Sequence, residues 1–156
     1  MIFVLVGTQD SPFLRILKET EEAIQELDLK EEVYAQTGDT PFNSKLMKTQ
    51  AYFMGKKYER LMHEARVIIT HGGAGILFKA IHLGKKVIAM PRKMEFGEHN
   101  DNHQMELVKK LSELGYIYEA KNSIKEALLD IGVFQPKPYI LKNDLLKAVH
   151  DFIEGK

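Results

Sequence analysis

The fold of this chain follows from Val67-Ile68-Ile69-Thr70-His71-Gly72-Gly73-Ala74-Gly75, an apolar run that leads directly into a cluster of glycines. The continuous β-branched run predicts a strand that is buried on both faces, as in a parallel sheet. A short helix is predicted over residues 76–83, and Gly84 would end it. The glycines therefore join the end of a strand to the start of a helix.

Short apolar runs and helical stripes continue to alternate on either side of this stretch. Strands are predicted at residues 2–6, 32–37, 67–70, 86–90 and 116–119, with a short one around 45–48. Further helices are predicted at 13–27, with Pro12 in the first turn, and at 58–65, 101–114, 123–131 and 143–153. Alternating strands and helices imply crossovers and a parallel sheet covered on both faces. The predicted class is α/β: a doubly wound, Rossmann-like parallel sheet in one domain over residues 1–156.

Composition narrows the classes of function. Lysine plus arginine and aspartate plus glutamate both number 22 in 156 residues, so the formal net charge is zero. Nucleic-acid binders usually carry a basic excess, which makes such a role improbable here. The chain has no cysteine, which excludes a disulfide scaffold or a thiolate zinc site. No apolar stretch reaches the roughly 20 residues that span a bilayer, and the apolar start lacks signal-peptide character. We expect a cytoplasmic protein whose membrane contact is peripheral, through a partner.

Ligands of open parallel sheets bind beyond the carboxyl ends of the strands, and polar residues and glycines concentrate in four such loops, at 7–10, 38–40, 71–75 and 92–104. Glycines let backbone N–H groups approach an anion, and the following helix adds a partial positive charge. The third loop therefore indicates an anion site, although a tight strand-to-helix turn without a ligand would look similar. His71 is either a packed histidine at a strand end or a ligand-facing one.

The loop after the strand at 86–90 carries an unusual density of hydrogen-bonding side chains, including His99, His103 and Gln104. Amides and carboxylates suit sugar hydroxyls because they offer both donors and acceptors. Capping of the next helix by Asp101 or Asn102 is the simpler alternative. A metal site from His99 and His103 has weak support, since no third ligand is evident.

These loops, taken in order, resemble the C-terminal domain of glycosyltransferase family 28. The resemblance covers about residues 1–120 and is carried by four spaced motifs: Val-Gly-Thr at 6–8, Ile-Thr-His-Gly-Gly-Ala-Gly at 69–75, Leu-Gly-Lys-Lys-Val-Ile-Ala-Met-Pro-Arg at 83–92, and Phe-Gly-Glu-His at 96–99 followed by His-Gln at 103–104. It is nearest to the free-standing small subunits. These are the cytosolic subunit of the dolichol-linked UDP-GlcNAc transferase and, more similar, the small subunit of bacterial capsule and exopolysaccharide transferases.

The resemblance implies the fold of the C-terminal half of a GT-B enzyme and a UDP-sugar donor that binds without cofactor or metal. Gly73, Ala74, Gly75 and Ile76 would face the diphosphate, and His103 with Gln104 would contact the donor sugar. Thr8 matches a first-loop residue near the nucleotide or the acceptor. His71, Gly72 and Arg92 lie in the same loops and complete the predicted donor-binding set, with His71 also a catalytic candidate.

The chain differs from full-length members of the resembled family at Lys79, and the resemblance covers only one half of a GT-B enzyme. Full-length relatives place a ribose-binding glutamate where this chain has Lys79, which cannot accept hydrogen bonds from hydroxyls. The resemblance also implies that a membrane-associated partner supplies the acceptor site and the general base, with the helix at 143–153 either docking on that partner or packing on its own domain. The chain would then be a hexosyltransferase subunit that is inactive alone. The alternatives are a non-catalytic accessory module and a nucleotide-binding homodimeric regulator.

Overall fold

The structure, a computed structural model, describes residues 1–6, 12–98 and 103–138, with only the backbone described at Met94 and His103. Within these ranges six strands alternate with five α-helices. The strands are β1 (Ile2–Leu5), β2 (Val33–Gln36), β3 (Lys48–Gln50), β4 (Val67–Thr70), β5 (Lys86–Ala89) and β6 (Tyr118–Glu119). The helices are α1 (Leu14–Glu26), α2 (Gly55–Glu64), α3 (Ala74–His82), α4 (His103–Glu113) and α5 (Ile124–Asp130), and a 3₁₀ turn covers Met94–Phe96.

All six strands are parallel and form one sheet in the order β3-β2-β1-β4-β5-β6. The chain builds outward from β1 to β3, then returns to the other side of β1 and builds outward again through β4. The carboxyl ends of β1 and β4 therefore flank the topological switch point, where doubly wound folds bind their ligands. The predicted fold class is confirmed.

The central strands are buried because both faces of the sheet are covered. Ile2 and Val4 of β1 pack into the apolar cluster under α1 and α5, while Phe3 and Leu5 pack on the opposite side with residues of α2, α3 and α4. All four residues of β4 are also buried. This two-sided burial explains why the strands read as continuous apolar runs rather than as alternating patterns.

Two predicted element positions near the periphery were wrong. The strand predicted around residues 45–48 lies at Lys48–Gln50, because the Ser44 hydroxyl accepts hydrogen bonds from the N–H groups of Leu46 and Met47 and holds a turn there. Pro12 precedes α1 instead of lying in its first turn. The helix begins at Leu14, and the N–H of Phe13 is bound by the Thr40 hydroxyl at 2.9 Å.

Other boundaries differ by one or two residues, and one difference affects the site. α3 begins at Ala74, two residues before the predicted start, so Gly75 belongs to the first turn of the helix. The predicted C-terminal helix at 143–153 lies outside the described residues. None of the helices in the described part of the chain has the length and apolarity needed to cross a bilayer.

Candidate functional site

The carboxyl edge of the sheet carries two described loops that come together. The first joins β4 to α3 through His71, Gly72 and Gly73, and the second runs from Met90 after β5 to Glu98, with α4 starting at His103. The first loop of the chain, which contains Thr8, lies outside the described residues. The described part of the site is formed by the ends of β2, β4 and β5 and by α2, α3 and α4.

The amino end of α3 is an open donor site on this edge. Gly73 is the N-cap residue and, having no side chain, provides no capping hydrogen bond, and no acidic residue lies in the first turn. The N–H groups of Ala74, Gly75 and Ile76 precede the first intrahelical bond, which Leu77 makes to the Gly73 carbonyl at 3.1 Å. Three converging donors and the positive end of the helix dipole form an arrangement that binds anions.

The three glycines of this loop have different reasons to be glycine. A Cβ on Gly72 would lie 2.6 Å from the Gln104 Cβ, and one on Gly73 would lie 2.1 Å from the His71 Cε1. Both positions are thus needed for packing. Gly75 is exposed, its φ is not positive, and an added Cβ would have no heavy atom within 4 Å. Neither packing against the described residues nor backbone conformation requires glycine at 75.

His71 lies beneath the loop rather than on its surface. Its side chain is buried, with 5% of its area exposed, and the ring faces Gly73. This placement supports the loop from below. The catalytic role suggested for His71 stays a prediction.

Gln104 connects the glycine loop to the loop after β5. It lies in the first turn of α4 and is 6% exposed, and its Cβ and carbonyl oxygen occupy the space that a side chain on Gly72 would need. Its side-chain Oε1 accepts a hydrogen bond from the N–H of Arg92 at 3.2 Å. The structure thus brings together two loops that the sequence analysis grouped in one donor site. His103 begins α4, but its side chain, like the whole of His99, is not described, so the metal hypothesis is untested.

Arg92 is fully buried below these loops. Its guanidinium donates to the carbonyl oxygens of Val6 at 3.0 Å and Glu98 at 3.1 Å and stacks over the Phe13 ring at 5.0 Å. Burial lowers the pKa of Arg92, and the charge of Glu98 opposes that shift. These bonds join the end of β1 to the loop after β5. They favour a positioning role for Arg92 over the direct donor contact that we predicted.

Glu98 and Arg15 are structural partners of the site that the sequence analysis missed. Arg15 of α1 makes a bidentate pair with the Glu98 carboxylate at 2.9 and 3.1 Å and also donates to the Pro91 carbonyl. The same carboxylate accepts the N–H of Lys93 at 3.1 Å. The two residues are 83 positions apart, so no local pattern reveals the pair. Only the presence of Glu98 in the Phe-Gly-Glu-His motif hinted at a role.

A pocket of about 460 Å³ opens beside the amino end of α3. Its lining is mostly aromatic or apolar, with one amide: Gln36, Tyr52, Phe53, Met54, Gly55, Tyr58 and Ile76. Edge-to-face contacts of Phe53 with Phe3 and Tyr34 hold its walls in place. Sequence analysis missed this pocket because its residues come from three separate elements and from the least periodic stretch of the chain.

Lys79 lies one helical turn beyond Ile76 and forms an ion pair with Glu59 of α2. Its ammonium group also lies 4.8 Å from the centre of the Tyr58 ring, and burial raises the pKa of that tyrosine. A carboxylate from the neighbouring helix α2 therefore lies beside the cation at position 79.

The sheet order and the glycine loop at its switch point define a doubly wound domain, a class of fold that binds its ligands at the carboxyl edge of the sheet. The model of the glycosyltransferase family 28 C-terminal domain matches residues 1–154, and the chain belongs to this family. No curated protein sequence matches the chain.

Solved structures share the fold at low identity. The NMR solution structure of ALG13 is 16% identical with a TM-score of 0.59, covering 97% of this chain and 94% of that one. MurG from Acinetobacter baumannii is 15% identical with a TM-score of 0.58, and the match covers 98% of this chain but 49% of MurG. The glycosyltransferase SnogD from Streptomyces nogalater is 18% identical with a TM-score of 0.53, covering 98% of this chain and 42% of SnogD. The fold is that of the C-terminal half of GT-B glycosyltransferases.

Alanine substitutions at Gly72 and Gly75 should change the free energy of unfolding differently, because only Gly72 is closely packed. Gly72→Ala forces its methyl group into the backbone of α4 and should lower the free energy of unfolding by about 1–3 kcal/mol. Gly75→Ala meets no atom and should leave stability unchanged or raise it by up to about 1 kcal/mol. Urea unfolding of both variants measures this. Equal destabilisation would contradict the assignment of open space beside Gly75.

Removing the Glu98 carboxylate should loosen the loop after β5. Glu98→Ala leaves Arg15 and the Lys93 N–H without their acceptor, and because Arg15 is partly exposed the loss should be about 2–4 kcal/mol. Glu26→Ala, which breaks the exposed pair with Lys125, is the matched control and should change stability little. Urea unfolding compares the two, and similar small effects would show that the Arg15 pair does not hold the loop.

Proposed function

We propose that this chain is the donor-binding domain of a glycosyltransferase that uses a UDP-sugar. The observation that carries the proposal is the amino end of α3, where Gly73 gives no capping hydrogen bond, the first turn has no acidic residue, and an added Cβ on Gly75 would meet no described heavy atom within 4 Å. A diphosphate has the charge and the number of acceptor oxygens to occupy such donors. As the glycosidic bond breaks, negative charge develops on the departing UDP, and the same donors would stabilise it.

The aromatic pocket is the proposed place of the nucleobase. Ile76 contributes its N–H to the donor site and its side chain to the pocket, so a diphosphate on α3 would have its nucleoside directed toward Tyr52, Phe53 and Tyr58. Aromatic and apolar side chains favour a flat ring through burial and stacking. Such a pocket beside an anion site fits a nucleotide better than it fits an inorganic anion.

Ribose and sugar would be held by residues on either side of the diphosphate. The carboxylate of Glu59, which pairs with Lys79, would accept the hydrogen bonds of the ribose hydroxyls in place of the glutamate that the family resemblance implies on α3. On the other side, Gln104 and His103 at the start of α4 stay the predicted contacts of the donor sugar. No step of this proposal requires a metal or another cofactor.

The other half of the enzyme would come from a partner. The chain spans less than half of MurG and of SnogD, but nearly all of the ALG13 structure. We propose a two-component hexosyltransferase for a lipid-linked glycan, a capsular polysaccharide or an exopolysaccharide, in which a membrane-associated subunit binds the acceptor and supplies the general base. The chain would be cytoplasmic, peripheral to the membrane through this partner, and inactive without it.

A non-catalytic accessory module is the second candidate. Lys79, which replaces the ribose-binding carboxylate of full-length relatives, is the observation that favours it. Such a module would stimulate a partner without binding the donor itself. The titration described next distinguishes the two, because only the first candidate requires the isolated or complexed chain to bind UDP.

Binding of UDP should depend on the open space beside Gly75. Calorimetric titration should show UDP binding to the chain, and Gly75→Val should weaken it at least about tenfold, because the added side chain fills the diphosphate position. The NMR signals of Gly72, Gly73, Ala74, Gly75 and Ile76 should shift on binding.

Gly132→Val is the matched control for this substitution. Gly132 is also exposed, has no heavy atom within 4 Å of an added Cβ, and lies near the start of β5, at the opposite edge of the sheet. UDP affinity should be unchanged in this variant. Absence of UDP binding in the unmodified chain, or an equal loss in both variants, would reject the proposed function.

A further inference from the structure

The aromatic pocket contains one buried amide. Gln36 is the last residue of β2, is 5% exposed, and lines the pocket together with Phe53 and Tyr58. Burying an amide among aromatic rings is unfavourable unless its polar atoms find partners. The side chain therefore needs an explanation beyond packing.

The orientation of this amide is fixed by the backbone. The N–H of Phe53 donates to the Gln36 Oε1 at 2.9 Å, and only the oxygen of the amide can accept that bond. Phe53 cannot move easily because its ring packs edge-to-face against Phe3 and Tyr34. With Oε1 occupied, the amide of this pocket-lining residue has its Nε2 group left as a pure donor, and the structure records no bond from it to any other described residue.

We propose that Gln36 selects the base of the nucleotide by donating to the keto edge of uracil. This inference rests on the proposed function and adds the residue that sets its specificity. Uracil presents a carbonyl acceptor at its C4 position, whereas cytosine presents an amino donor there. A cytosine in the same pose would place two donors face to face and leave both without an acceptor.

The preference should be seen by comparing UDP with CDP, which differ only in this edge. The unmodified chain should bind UDP at least about tenfold more tightly than CDP in calorimetric titration. Gln36→Glu keeps an oxygen for the Phe53 N–H but presents an acceptor to the pocket instead of a donor. The ratio of UDP to CDP affinity should therefore fall at least about tenfold, even if the added charge weakens both nucleotides.

The matched control is Gln50→Glu. Gln50 is the register partner of Gln36 on β3 and is exposed, so the substitution adds the same charge one strand away without changing the pocket amide. Its affinity ratio should equal that of the unmodified chain. Thermal unfolding of each variant shows whether the fold is intact. Should Gln36→Glu not fold, Gln36→Met removes the donor without adding charge and should bring UDP and CDP within about threefold of each other.

Three results overturn specific statements. If the unmodified chain binds UDP and CDP equally, or if a folded Gln36 variant keeps the original ratio, Gln36 does not select the base, while the proposed function stands. If neither nucleotide binds, the proposed function itself fails, and this inference fails with it.

Discussion

The proposed binding site depends on the N–H groups at the amino end of α3 that have no partner within the helix. Its position follows from the parallel sheet, because β4 lies next to β1 at the switch point and every helix that follows a strand begins at the carboxyl edge. The N–H groups of the first helical turn must find acceptors outside the helix. Where many helices use a capping side chain, this one has Gly73, which provides no capping hydrogen bond.

The surrounding contacts keep that helix end in place and leave it accessible. Gly72 lies against the first turn of α4, and the side chain of Gln104 binds the backbone of Arg92. Beneath them, Arg92 and the Arg15–Glu98 pair join β1, α1 and the loop after β5. Polar groups buried in this way are favourable only when each finds a partner, and the shared partners hold the loops in one arrangement.

Sequence reasoning located the fold and the loops but not the three-dimensional supports. The apolar run of β4 predicts a strand because burial on both faces requires apolar residues along its whole length. The glycines after it predict a tight turn into a helix because close backbone approach requires residues without side chains. No local sequence pattern predicts the Arg15–Glu98 pair, since its members are 83 positions apart. The aromatic pocket was missed because Gln36, Phe53 and Ile76 meet only through the crossover connections of the sheet.

The most direct measurement is a crystal structure of the chain with UDP bound. Diphosphate oxygens should lie within hydrogen-bond distance of the backbone nitrogens of Ala74, Gly75 and Ile76, with the uracil ring between the aromatic side chains of the neighbouring pocket. A diphosphate bound elsewhere on the molecule, with these three N–H groups facing only solvent, would contradict the proposed site.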